Sequence, residues 1–124
     1  MLTGAFYPEV SGGGIQALTL INALREKVNF YVITTSHNFN LSKQECIDNI
    51  PIHRVIRRGN RIILKLQSLI WFIWIFLKIR EKIDILHFHG FSQKNMLFII
   101  LAKIFKKKTI QKITSLGDDD PISI

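Results

Sequence analysis

The chain has 124 residues, enough for one domain with a real core, and 48% of them are hydrophobic, which excludes a disordered chain. Its formal net charge of +8 favours anionic partners. The single cysteine, Cys46, excludes an internal disulfide and suits a reducing cytoplasm.

The opening residues reach Glu9 with no basic stretch leading into an apolar one, so they do not read as a secretory signal. Residues 2–7 read as the end of a strand, broken by Pro8 and by Ser11-Gly12-Gly13-Gly14. Ile15, Leu18, Ile21 and Leu24 then share one helical face, widened by Ala17, Leu20 and Ala23. The run FYVIT at 30–34 is β-branched and aromatic, hence a strand. Residues 36–49 are polar and irregular and read as a loop with at most a short helix. IHRVI at 52–56 alternates apolar and polar residues and predicts another strand.

Arg57-Arg58-Gly59-Asn60 turns into a long helix over 62–82, apolar nearly all round, which predicts cover on several sides. Its uncharged run, 66–77, lies between Lys65 and Lys78 and falls short of the roughly 20 residues of a membrane span, so a buried or interfacial helix is expected. IDILHFH at 83–89 is a compact strand closed by Gly90. Residues 96–105 predict a second apolar helix, 108–114 a final strand, and 115–121 a loop. Basic residues cluster at Arg54, Arg57, Arg58, Arg61 and Lys65, at Lys78, Arg80 and Lys82, and at Lys103, Lys106, Lys107 and Lys108. Clusters flanking apolar runs fit either a surface lying on a membrane or solvated helix ends.

Strands alternating with helices predict a single α/β domain over 1–124, with a Rossmann-like, mainly parallel sheet and helices on both faces. Ligands of such sheets bind beyond the C-terminal strand ends. Three segments fall there. Gly12, Gly13 and Gly14 open a helix whose unpaired N–H groups suit a pyrophosphate, although a plain tight turn has the same composition. Their spacing is neither a dinucleotide fingerprint nor a P-loop. His87 and His89 share one side of their strand. His89, at its end, reaches the crevice with Gly90 and can donate to a sugar hydroxyl or a phosphate, while His87 reads as a core histidine. No third ligand adjoins them, so no metal is expected. Thr114 and the run Gly117-Asp118-Asp119-Asp120 fit sugar hydroxyls, a divalent cation or a solvated turn; adjacent carboxylates do not provide the separation that glycoside hydrolysis needs.

In this order, GAFYPEVSGGGIQALTLINAL, DILHFHG and KKKTIQKITSLGDDDP resemble the N-terminal domain of family 4 glycosyltransferases of the GT-B fold, over essentially the whole chain. The resemblance implies a retaining transfer of a hexose from a nucleotide diphosphate sugar to a glycan or lipid-linked acceptor, in cell-surface polysaccharide synthesis. It places Gly12, Gly13 and Gly14 near the donor diphosphate and His89, as the catalytic-site residue, against the transferred sugar. Gly90, Thr114, Asp118 and Asp119 fall to the sugar or acceptor. It implies no metal and no cofactor beyond the nucleotide sugar as co-substrate. The first strand is shorter than the family's, and the C-terminal donor-binding domain is absent from this chain, so the chain alone is expected to be inactive. The alternative is a non-catalytic subunit of a split glycosyltransferase that holds the acceptor at a membrane. The expected location is cytoplasmic, peripheral to the inner face of the cell membrane. Nucleic acid is not an expected partner, because Trp71, Phe72, Trp74 and Phe76 lie within apolar runs rather than among basic residues.

Overall fold

A computed structural model describes residues 1–9, 11–57, 59, 61–90 and 93–112. In chain order the elements are β1 (Leu2–Thr3), α1 (Gly12–Leu24), β2 (Val32–Ser36), β3 (Gln44–Ile47), β4 (Ile50–Ile56), α2 (Ile62–Ile79), β5 (Ile85–His89), α3 (Gln93–Ile104) and β6 (Lys108–Lys112), with a 3-10 turn, Arg80–Lys82, closing α2. Among the described residues the strands form one sheet in the order β3-β4-β2-β1-β5-β6, parallel throughout except for β3 against β4. This is the expected Rossmann-like α/β arrangement.

Strand alternation builds two cores. Leu2, Ile33, Val55, Leu86 and Phe88 face α2 and α3, meeting Phe72, Ile75, Phe76, Phe98 and Leu101. Phe98 takes Phe72 and Phe76 edge-on, at ring-centroid distances of 5.6 and 6.1 Å. On the opposite face Met1, Val32 and Ile52 meet Ala17 and Ile21 of α1. Helices therefore cover both faces.

Four details differ from the sequence expectation. Gly12 to Gly14 are the first turn of α1 rather than a loop ahead of it, because Ser11 serves as N-cap and its Oγ accepts the Gly14 N–H at 3.0 Å. The polar segment 36–49 contains β3, joined to β4 by a two-residue turn in which Asp48 and Asn49 both have positive φ, 50° and 66°. Asp and Asn tolerate that conformation, so the turn signal was present in the sequence. The helix α2 buries only one stripe, Phe72, Ile75, Phe76 and Ile79, rather than being covered on several sides. His87 is half-buried and stands at the edge of a cavity, not in the core.

That cavity, of about 510 Å³, lies under the short central strand. Leu2 pairs with Ile33 on one side and Phe88 on the other, which leaves residues 85–87 of β5 without a neighbour on the β1 side. Met1, Tyr31, Ile83, Ile85, His87 and Ile110 are among the residues lining the gap. The Met1 nitrogen donates to the Tyr31 carbonyl at 2.7 Å, where a parallel ladder would place a peptide N–H.

Candidate functional site

The C-terminal ends of β1, β2 and β5 meet the start of α1, and the loop between β1 and α1 is fixed there from below. Thr35 Oγ1 donates to the Gly4 carbonyl at 2.6 Å, and Arg54 Nη2 donates to the Tyr7 carbonyl at 2.6 Å. Ser36 Oγ donates to Glu9 Oε1 at 2.9 Å and accepts the Asn38 N–H at 3.0 Å. Ser11 Oγ, besides capping α1, donates to the Ala5 carbonyl at 3.2 Å.

Arg54 makes this bracing possible. Alternation in β4 places it on the same face as Ile52, so its guanidinium is fully buried and requires partners. It finds the Glu45 carboxylate of β3, the Ser42 carbonyl at 3.2 Å and the Tyr7 carbonyl. An antiparallel edge strand and the loop over the crevice are thus tied through one side chain.

The three glycines have different surroundings. A Cβ on Gly14 would stand 2.5 Å from the Ala5 carbonyl oxygen and 2.9 Å from Ser11 Oγ, so this glycine is required by packing. A Cβ on Gly13 would meet Thr3 Oγ1 at 3.4 Å and His89 Cβ at 3.8 Å, which puts the start of α1 directly against the end of β5. Gly12 is exposed, with nothing within 4 Å of such a Cβ. Ser11 satisfies the Gly14 N–H, and the positive end of the helix dipole lies at the turn of Gly12 and Gly13, beside the end of β5.

His89 is 6% exposed, and among the described residues neither of its buried ring nitrogens has a hydrogen-bond partner. Its ring lies 4.5 Å from that of His87, on the side opposite Phe88 in the core, as the spacing of the two histidines requires. Burial, then His87, Lys112 and the chain amine, lower its pKa to about 4. At neutral pH the ring is therefore uncharged, offering one donor and one acceptor. Left unpaired, each buried polar atom costs about 1–3 kcal/mol. Gly90, at a φ of 78°, turns the chain immediately after His89, and its carbonyl accepts from Asn95 Nδ2 at 2.8 Å and Gln111 Nε2 at 2.7 Å.

Lys94, in the first turn of α3, is a site residue that the sequence did not announce. Its Nζ donates to the Thr3 carbonyl at 2.8 Å, at the very end of β1. Burial, then Arg57, lower its pKa to about 8, which leaves it mostly charged at neutral pH. Glu9, also unexpected, is brought to the crevice by Ser36. The structure puts Gly13 beside His89, which Gly90 follows, while Gly12 is exposed and Gly14 packs against the loop below; Lys94 and Glu9 lie on the neighbouring segments, and Thr114, Asp118 and Asp119 lie outside the described residues. Together these groups present backbone N–H groups, one ammonium, the Glu9 carboxylate and a neutral imidazole, donors and acceptors suited to a ligand that carries hydroxyls beside a charged group. Comparison of the chain with protein-family models, curated proteins and solved structures returned no match.

Proposed function

We propose that this chain is the acceptor-side, N-terminal part of a retaining glycosyltransferase that moves a hexose from a nucleotide diphosphate sugar to a glycan or lipid-linked acceptor in cell-surface polysaccharide synthesis. The observation that carries the reading is the pair of buried ring nitrogens of His89, unpartnered among the described residues, beside Gly13 at the opening of α1. One nitrogen donates to, and the other accepts from, hydroxyls of the hexose. The N–H groups of Gly12 and Gly13 face the diphosphate, with Lys94 adding positive charge behind them. A neutral ring suits a polyhydroxyl ligand, because a cationic one has no acceptor nitrogen.

The test is a titration of the isotope-labelled chain with nucleotide diphosphate hexoses, the matching nucleotide diphosphates and inorganic pyrophosphate, followed by amide NMR. All three should move the Gly12 and Gly13 amides, and the hexose should add a response around His89 and Gly90. His89→Ala should abolish that added response and leave the pyrophosphate response intact. Identical responses to a nucleotide sugar and its free nucleotide diphosphate would contradict the reading.

A further inference from the structure

The helix α2 carries a second apolar face that nothing among the described residues covers. Ile63, Leu66, Ile70, Trp74 and Leu77 recur at spacings of three and four, forming a stripe opposite the buried Phe72, Ile75, Phe76 and Ile79. They are 69, 52, 66, 44 and 41% exposed, and Ile62, at 76%, extends the apolar surface at the N-terminal end. With its 3-10 extension, Ile62–Lys82, this is a helix long and apolar enough to cross a membrane by length and composition. Its packing against the sheet through Phe72, Ile75, Phe76 and Ile79 holds it in the domain instead, with the stripe turned outward.

The surroundings of the stripe are cationic. No acidic residue occurs from Ile62 to Ile79, while Arg57, Arg61 and Lys65 surround the helix start and Lys78 its end. Arg61 is the N-cap residue yet makes no side-chain cap bond, and the first turn carries no carboxylate. Basic groups at a positive helix end are disfavoured within the domain itself, so an external anion relieves that end of the helix. Two tryptophans sit at the border between apolar and charged surface. Trp71 and Trp74 stack at 4.9 Å, with Lys78 Nζ 4.9 Å from the Trp74 ring and Lys43 Nζ 5.5 Å from the Trp71 ring. An indole with an ammonium beside it belongs at a boundary between hydrocarbon and charged headgroups.

We propose that α2 is an interfacial docking helix for an anionic lipid bilayer. It lies in the membrane plane with Ile63, Leu66, Ile70, Trp74 and Leu77 in the acyl boundary and Arg57, Arg61, Lys65 and Lys78 on the headgroups. The proposal does not rest on the sugar-transfer reading.

Flotation with phosphatidylcholine vesicles, with and without phosphatidylglycerol, tests it. The chain should float with the anionic vesicles and remain behind with the neutral ones, and its tryptophan emission should shift to the blue on binding. Ile63→Glu with Ile70→Glu, 69 and 66% exposed, should abolish flotation while leaving the thermal melt unchanged. Arg61→Gln with Lys65→Gln should weaken anionic binding by about thirtyfold, from roughly a fivefold loss per basic residue at the surface. Equal flotation with both vesicles, binding that survives the glutamates, or a stripe that pairs two copies of the chain and binds no vesicle would each overturn the proposal.

Discussion

Gly14→Ala should destabilise the domain by about 2–3 kcal/mol, although alanine is the better helix former. The added methyl would stand 2.5 Å from the Ala5 carbonyl oxygen, a backbone atom with no rotamer to escape through, and 2.9 Å from the Ser11 Oγ that caps the helix. Either the start of α1 lifts from the loop or the cap is lost, and both displace the turn over the crevice. Gly12→Ala meets nothing within 4 Å and should be neutral or stabilise by up to about 1 kcal/mol. Gly13→Ala separates structure from function. Its methyl makes only ordinary contacts, 3.4 Å to Thr3 Oγ1 and 3.8 Å to His89 Cβ, so the fold should hold while the ligand response at His89 and Gly13 falls. Urea melts of the three variants rank them, and equal stabilities for the Gly12 and Gly14 variants would contradict the packing described.

Arg54→Ala should have an effect of comparable or greater size, about 3–5 kcal/mol. The guanidinium is fully buried, and its removal leaves the Glu45 carboxylate and the Ser42 and Tyr7 carbonyls without their donor. A domain of this size is stabilised by only about 5–15 kcal/mol, so the variant should melt far below the parent. Arg54→Met keeps most of the volume and removes the charge, and combined with Glu45→Gln it should recover part of the loss, because no ion is then left unpaired. A double variant no more stable than Arg54→Met would mean that the ion pair is not what couples the two residues.

The alternation of strand and helix was legible because both periodicities are local: Ile15, Leu18, Ile21 and Leu24 on one side, IHRVI and ILHFH on the other. The hidden parts depended on partners distant in sequence. β3 is exposed on alternate residues, QECI, and carries no apolar signature of its own; the Asp48-Asn49 turn alone betrays it. Arg54 contradicted its apolar face, and a buried charge demands an opposite one, but nothing local named Glu45. His89 and the glycine turn were legible as separate pieces, and only the parallel sheet order brings them into contact. Lys94 was masked by the apolar helix around it, since its role comes from the Thr3 carbonyl, 91 residues earlier in the chain. The exposure of α2 was illegible for a related reason: composition reports how apolar a helix is, not how many sides its neighbours cover.

The most direct test of the central claim is the His89 ring itself, followed by NMR across the acid range, alone and with a nucleotide diphosphate hexose. The ring should titrate near pH 4 in the chain alone, be neutral at pH 7, and shift there on addition of the sugar nucleotide but not of the nucleotide diphosphate. A ring that titrates near its ordinary 6.5, or one that the hexose leaves unmoved while ligand binds, would contradict the account.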